Sequence, residues 1–218
     1  MGNEPVYYPI CLNVQAERCV VVGGGKVAAR KAASLVEAGA RVVVVSPEVC
    51  DEIVRCKDAT VVQRPWEESD LDDTLLVIAA TDDRSLNEAV ARAARVRGVL
   101  CNVVDDASLS DFIVPASIRR GALLVSVSTS AALPALARSI RADLERMFGQ
   151  DYADYLETVG QMREGIVESV PDESARREIF ARFADSRFIA TVRGKGKDDL
   201  RRELEKVVRE VARDDETG

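Results

Sequence analysis

The feature that most constrains the fold is a run of three glycines between an apolar segment and a helical pattern. Residues 18–22 (RCVVV) form a short apolar run that ends directly at Gly23. After the glycines, small and apolar side chains recur at helical spacing up to Gly39, and a second apolar run (RVVVVS, 41–46) follows. A strand, a glycine turn, a helix and a second strand in this order predict the first unit of a Rossmann fold.

The glycine turn also predicts a bound dinucleotide. Its pattern is G-x-G-x-x-A, in which the first glycine permits a tight turn, the second lets the backbone approach a pyrophosphate, and Ala28 lets the helix pack close to the sheet. We expect the pyrophosphate on the free amides at the start of the helix. The predicted cofactor contacts here are Gly23, Gly24, Gly25, Lys26 and Val27. The alternative interpretation is a glycine-rich turn without a ligand.

The alternation of strands and helices defines the fold class. Further strand-like runs lie at 59–63, 75–80, 99–104 and 122–128. With the helical stripes between them, these runs predict an α/β fold with a Rossmann-type parallel sheet. From residue 151 onward only helical spacing is found, which predicts a small all-helical domain at the C-terminus. The predicted divisions are 1–113, 114–148 and 149–218.

The second strand ends at Ser46, Pro47 and Glu48, and this segment bears on the choice of cofactor. No carboxylate stands at the strand tip, where NAD-binding proteins usually carry one, and Glu48 comes two residues late. Ser46 or the backbone near Pro47 is the candidate partner of a ribose hydroxyl. No arginine is placed there for a 2′-phosphate, so the segment favours NAD over NADP.

The fourth strand ends at Ala80, Thr81 and Asp82, which complete the predicted cofactor site. Ligands of such folds bind beyond the carboxyl ends of the strands, and small residues there leave room for a ribose and a nicotinamide. A structural interpretation is also open, in which Thr81 or Asp82 caps the next helix.

Composition limits the chemistry that this chain can perform. It has no histidine, so a general base must be a carboxylate, a hydroxyl, a lysine or the cofactor itself. The net charge of −7 argues against nucleic-acid binding. No apolar run is long enough for a membrane helix, and no secretory signal is visible. Five cysteines without a CxxC pair indicate a reducing compartment rather than a metal site, which predicts a cytoplasmic protein.

Five motifs in order give the chain a family resemblance. They are VVGGGKVAARK (21–31), AATDD (79–83), NVVDD (102–106), FIVPASIRRGALLVSVST (112–129) and PALARSIRADLE (134–145). With them the chain resembles the precorrin-2 dehydrogenase/sirohydrochlorin ferrochelatase family, the small siroheme-synthase enzymes, most strongly over residues 8–148. The resemblance implies oxidation of precorrin-2 to sirohydrochlorin with NAD⁺, followed in many members by Fe²⁺ insertion. It also implies a homodimer, with residues 114–148 as a dimerisation segment.

The resemblance further implies roles for single residues. Asp105 matches the candidate catalytic acid/base of the family, and it also ends a strand in a chain that offers no histidine. The alternative is that Asp105 or Asp106 only caps a turn. The tetrapyrrole substrate is rich in carboxylates, so local positive charge is expected around it. The implied substrate contacts are Asn102, Ser128, Arg119, Arg120 and Arg138.

A second class of function stays open, namely a nucleotide-sensing Rossmann module that gates a transporter and catalyses nothing. Such modules resemble this chain through about residue 100. They are expected to carry an acidic residue at the tip of the second strand and have no need of NVVD or of the segment after it. The motifs at 102–129 therefore favour the enzyme.

Overall fold

The computed structural model describes residues 6–130 and 132–216, and the chain divides after Val114 into two compact units. The first unit alternates strands and helices in the predicted order. Its elements are β1 (Arg18–Val22), α1 (Lys26–Glu37), β2 (Arg41–Val45), α2 (Asp51–Val54), β3 (Ala59–Val62), β4 (Leu76–Ala79), α3 (Arg84–Arg97) and β5 (Leu100–Val103), with short 3₁₀ turns at Glu68–Leu71 and Ala107–Leu109.

The five strands form one parallel sheet in the order β3-β2-β1-β4-β5. The chain winds outward from β1 in one direction and then, from β4, in the other. The strand order therefore reverses between β1 and β4, which is where doubly wound sheets bind their ligands. The predicted Rossmann-type parallel sheet is confirmed.

The sheet is covered on both faces, which explains its continuous apolar strands. Alternate residues of β1 enter different clusters: Cys19 and Val21 pack with α1, whereas Val20 and Val22 pack with α3. All four are almost completely buried. An uninterrupted β-branched run is stable in this position because neither face of the strand meets water.

The helix ends follow from local chemistry. Helix α1 stops before Gly39, whose φ of +86° lies in the left-handed region. Helix α3 begins with Asp83 as its N-cap, which accepts a hydrogen bond from the amide of Leu86. The structural interpretation of Thr81 or Asp82 as this cap was therefore wrong by one or two residues. Thr81 instead forms other hydrogen bonds, described below.

The second unit opens with an antiparallel hairpin and continues as five helices. The run at 122–128 is a strand, but it pairs with 116–120 through a turn at Gly121 (φ +56°) and not with the parallel sheet. No strand was predicted at 116–120. The elements of this unit are β6 (Ala116–Arg120), β7 (Leu123–Val127), α4 (Pro134–Met147), α5 (Gln150–Ser169), α6 (Glu173–Phe183), α7 (Arg187–Lys195) and α8 (Lys197–Glu216).

Helices α5 to α8 enclose a core of their own. Its most completely buried side chains are Phe188, Ile179, Leu200 and Leu204. The segment 193–199 contains two glycines and is nevertheless mostly helical. Only Gly196, with φ +87°, interrupts it between α7 and α8.

Candidate functional site

The carboxyl ends of the five parallel strands lie in register at one edge of the sheet. Val22 of β1 pairs with Val45 on one side and with Ala79 on the other. Just beyond them, the amide of Gly23 donates to the carbonyl of Val45 (3.0 Å), and the amide of Ala80 donates to that of Val22 (2.8 Å). The glycine turn therefore lies between the segments that leave β2 and β4, which are the two other segments predicted to contact the cofactor.

Each of the three glycines has a different surrounding. Gly23 has φ +130°, and a Cβ atom there would collide with the carbonyl oxygen of Ala80. A Cβ atom on Gly24 would collide with the carbonyl oxygen of Glu48. A Cβ atom on Gly25 would meet nothing within 4 Å. The first two positions exclude a side chain because neighbouring backbone fills the space, whereas the third borders open space.

The start of α1 suits an anion. Gly25 is its N-cap and supplies no side-chain hydrogen bond, and the first turn contains no acidic residue. The first amides of a helix have no partner within the helix, and the helix dipole places positive charge there. Gly25 and Lys26 are exposed, and Val27 is half-buried. The space beside Gly25 and the uncapped amides fit the pyrophosphate of a dinucleotide.

The tip of β2 is occupied by a tight backbone turn. The hydroxyl of Ser46 donates to the carbonyl of Glu48 (2.7 Å), and the amide of Cys50 donates to that of Gly24 (2.8 Å). These bonds hold the segment from Ser46 to Cys50 against the glycine turn. Pro47 and Glu48 are exposed, and Ser46 keeps its oxygen lone pairs as acceptors. Their contact with a ribose stays a prediction.

Thr81 is held at the tip of β4 by Asn87, which is only 7% exposed. The threonine hydroxyl donates to Asn87 Oδ1 (2.8 Å), and Asn87 Nδ2 donates to the carbonyl of Thr81 (2.9 Å). Asp82 is exposed beside them. Sequence reasoning gave Asn87 no role, although a polar side chain on the apolar stripe of a predicted helix was a usable signal.

The two aspartates after β5 have different surroundings. Asp106 caps the next 3₁₀ turn, accepting from the amide (3.1 Å) and hydroxyl (2.6 Å) of Ser108. The side-chain hydrogen bond from Ser108 holds the pKa of Asp106 below its ordinary value. Asp105 is exposed at φ +64°, and within the described residues its carboxylate has no hydrogen bond. The capping interpretation therefore holds for Asp106, and Asp105 is the carboxylate that can meet a ligand.

Asn102 and its neighbours anchor the segment after this turn. Asn102 is 7% exposed, and its Nδ2 donates to the carbonyl of Phe112 (2.9 Å). The amide of Cys101 donates to a carboxylate oxygen of Asp111 (2.9 Å). The side chain of Asn102 thus holds the backbone at Phe112 in place. Its predicted contact with substrate remains a prediction.

The remaining candidate residues lie in the second unit. Arg119 and Arg120 are successive residues of β6 and so point to opposite faces of the hairpin. The guanidinium of Arg120 donates to the carbonyl of Phe148 (3.0 Å) and to that of Arg119 (2.9 Å). The hydroxyl of Ser128 accepts from the amide of Ser130 (3.0 Å), and Arg138 is exposed on α4. Arg119 and Arg138 are the more accessible of these cations.

Comparisons with known proteins agree with this geometry. Residues 10–116 match a family described as putative NAD(P)-binding, and residues 152–207 match the sirohaem synthase dimerisation region. The chain is 37% identical over 203 residues to a siroheme synthase of Chromobacterium violaceum. The aligned region covers 92% of this chain and 43% of that protein. The chain belongs to the precorrin-2 dehydrogenase/siroheme synthase family.

Further relatives extend the match within this family. A siroheme synthase of Nitrosococcus oceani is 41% identical over 174 residues, which is 78% of this chain and 37% of that protein. The chain thus spans less than half the length of the curated siroheme synthases that it matches. The solved structure of SirC, a precorrin-2 dehydrogenase, superimposes with a TM-score of 0.74 at 25% identity, covering 92% of this chain and 100% of that one.

For this family member, the matches bear on the cofactor and on assembly. The NAD(P)-binding match and the likeness to a precorrin-2 dehydrogenase support NAD as the cofactor, as the sequence predicted. The dimerisation match begins at residue 152, beyond the segment 114–148 that the resemblance assigned to this role. The predicted boundaries at 113 and 148 stay predictions. Among the described helices, none is long and apolar enough to cross a membrane.

Proposed function

We propose that this chain catalyses the NAD-dependent oxidation of precorrin-2 to sirohydrochlorin in siroheme biosynthesis. The observation that carries the proposal is the position of Asp105. Its carboxylate has no hydrogen bond within the described residues, and the residue lies two positions after the end of β5, at the same sheet edge as the glycine turn. Family membership supplies the substrate class, and the likeness to a precorrin-2 dehydrogenase supports the reaction.

One group of residues binds the cofactor, and another residue accepts the proton. NAD⁺, when bound, supplies a two-electron hydride acceptor. The turn from Gly23 to Val27 binds its pyrophosphate, and Thr81, held by Asn87, fixes the backbone beside Ala80. As a hydride leaves the substrate carbon, a proton must also leave. The carboxylate of Asp105 accepts it, since no histidine is present in the chain.

A second activity of the same carboxylate is part of the proposal. Insertion of Fe²⁺ into sirohydrochlorin displaces the pyrrole protons. The carboxylate of Asp105, at the carboxyl-end edge of the sheet, accepts these protons. The metal is here a substrate. Insertion requires a proton acceptor and transient metal contacts and does not require a closed metal site. Whether Fe²⁺ or Co²⁺ is the metal is decided by assay.

Substrate binding and assembly complete the proposal. The carboxylates of the tetrapyrrole are bound by local cations, for which Arg119, Arg120 and Arg138 are the candidates, with Asn102 and Ser128 as polar contacts. The match to a sirohaem synthase dimerisation region supports a homodimer. We further propose that residues 1–113, 114–148 and 149–218 act as cofactor-binding, dimerisation and helical domains of a cytoplasmic enzyme.

An anaerobic assay tests the proposal. Purified chain is mixed with precorrin-2 and NAD⁺, and NADH is followed by its absorbance while sirohydrochlorin is followed by its visible spectrum. Equal amounts of both products are expected; Fe²⁺ is then added to look for siroheme. A protein that binds NAD⁺ and forms no NADH would be a nucleotide-sensing module, and this outcome would overturn the proposed function.

A further inference from the structure

Lys31 lies on the flank of α1 that borders the sheet. Three residues before it, Ala28 is completely buried against the sheet, and four residues after it Leu35 is 9% exposed. In a helix, residues three and four apart share one face, so Lys31 is directed along this packed face. The structure accordingly leaves it half-buried, whereas its neighbour Arg30 is exposed.

The segment after β5 lies on the same side of the sheet. Val104 and Phe112 pack into the cluster that contains Ala28 and Ala32 of α1. Asp105 directly follows Val104 in a turn closed by the bond from the amide of Asp106 to the carbonyl of Val103. Lys31 on α1 and Asp105 in this turn therefore lie on the same side of the sheet, with opposite charges that interact electrostatically.

In the part of the chain that the structure describes, neither group is engaged by another charge in an ion pair. Within the described residues, no ion pair or side-chain hydrogen bond engages the ammonium of Lys31 or the carboxylate of Asp105. Helix α2 packs against α1 and carries Asp51, Glu52 and Arg55, but Glu52 interacts with Lys26 and Arg55. The strands beneath α1 present apolar side chains. A half-buried ammonium without an ion pair or hydrogen bond is uncommon, because burial disfavours its charge.

We propose that Lys31 is a positioning residue for the dehydrogenation, acting through the carboxylate of Asp105. The proposal rests on the proposed function, in which Asp105 accepts the substrate proton. Asp105 sits in an exposed turn without a hydrogen bond to orient its carboxylate, and the charge of Lys31 supplies that orientation from the α1 side. The proton still goes to Asp105, and Lys31 itself exchanges none.

The electrostatic state of Lys31 agrees with this role. Burial lowers its pKa below the ordinary lysine value of 10.5, the neighbouring charge of Arg30 lowers it further, and Asp105 raises it in opposition. Because the pKa of Lys31 is lowered in the folded protein, folding disfavours the charged form of this side chain. Removing the ammonium should therefore leave stability unchanged or raise it, which separates a functional role from a structural one.

The first test measures the coupling without turnover. Lysine labelled with ¹³C at Cε is incorporated, and each side chain is titrated by NMR, with Lys31 assigned by its absence in K31M. Lys31 is expected to titrate below the ordinary lysine value of 10.5, and lower still in D105N, since the opposing charge is then gone. If D105N leaves the titration of Lys31 unchanged, the coupling does not exist and the proposal fails.

The second test measures turnover of K31M, K31R and the matched control K57M, which removes one exposed lysine elsewhere. In K31M, kcat should fall about tenfold or more, because misplacing a catalytic group costs up to about 100-fold. The KM for NAD⁺ should stay constant, Tm should not fall, and K31R should recover most of the rate. An unchanged kcat in K31M, or a K31R as slow as K31M, contradicts the proposal. If wild type forms no NADH, the proposed function fails instead.

Discussion

The buried amide of Asn87 holds Thr81 at the tip of β4 by two opposed hydrogen bonds, of 2.8 and 2.9 Å. The bonded pair lies next to Ala80, whose carbonyl oxygen closes over Gly23. A residue on helix α3 thus fixes the backbone that borders the glycine turn. The backbone beside the predicted cofactor turn is thus held by a contact made outside the glycine motif.

Replacing Asn87 with Ala is expected to weaken both folding and cofactor binding. The variant leaves the hydroxyl and carbonyl of Thr81 without their partner, which typically costs about 1–3 kcal/mol. Chemical denaturation measures this loss, and calorimetry with NAD⁺ should show a higher Kd. The control is E88A on the same helix, which removes only a surface pair with Arg84 and should stay within about 1 kcal/mol of wild type. Equal behaviour of the two variants would refute a special role for Asn87.

Two adjacent glycine variants separate folding from cofactor binding. In G24A the new methyl group collides with the carbonyl of Glu48, so we expect a loss of about 1–3 kcal/mol in unfolding free energy. In G25A the methyl group meets no protein atom, so the unfolding transition should be close to that of wild type. It nevertheless projects into the space assigned to the pyrophosphate and should raise the Kd for NAD⁺. A G25A protein that binds NAD⁺ normally would show that the pyrophosphate lies elsewhere.

The neighbouring aspartates offer a matched pair for catalysis. D105N should lower the rate of precorrin-2 oxidation by about 10²–10⁴-fold, since the amide cannot accept a proton. D106N should retain most of the rate, because asparagine caps a helical turn about as well as aspartate does. Steady-state kinetics of both variants, with NAD⁺ binding as a check on folding, decide the assignment. A similar loss in both would mean that the turn, and not the carboxylate of Asp105, is what matters.

An ion pair beside β3 predicts how stability depends on pH. Arg64 binds both carboxylate oxygens of buried Asp70, at 2.6 and 2.9 Å. Burial alone would raise the pKa of Asp70, but the hydrogen bonds from Arg64 and from the Glu67 amide outweigh it and hold the pKa below 3.8. The pair therefore stabilises the protein fully above that value and loses its effect as the pH falls through the lowered pKa.

The measurement is the urea midpoint of wild type and D70N as a function of pH. At neutral pH, D70N should be less stable by about 1–3 kcal/mol, because it loses the charged partner of Arg64. Below pH 3.8 the two curves should begin to converge, because the carboxylate of wild-type Asp70 loses its charge as the pH falls through its lowered pKa. Parallel curves over the whole range would mean that the pair contributes nothing to acid stability.

Much of the first unit was predictable because its signals are local. The strands at 18–22 and 41–45 are uninterrupted apolar runs, and Gly39 ends α1 by adopting a conformation that other residues avoid. The glycine turn likewise carries its geometry in its own residues. Strand order and the edge at which the turn lies then follow from the right-handed crossovers of parallel sheets.

Pairing and side-chain surroundings depend on residues distant in sequence, and these were not predictable. The run at 123–127 could have joined the parallel sheet, and only its pairing with 116–120 makes it half of a hairpin. Glycines at 194 and 196 look alike in sequence, yet only Gly196 breaks the helix.

The same limit applies to the site. The sequence by itself determined a Rossmann unit with a dinucleotide turn and, through its motifs, placed Asp105 among the residues to consider. Only the tertiary structure distinguished the roles of Asp105 and Asp106. Ser108 donates hydrogen bonds to the carboxylate of Asp106 and leaves that of Asp105 free to meet a ligand. It also brought Asn87 into hydrogen bonds with Thr81 and placed the opposite charges of Lys31 and Asp105 on the same side of the sheet, since both arrangements exist only once α1, α3 and the strand ends have packed together.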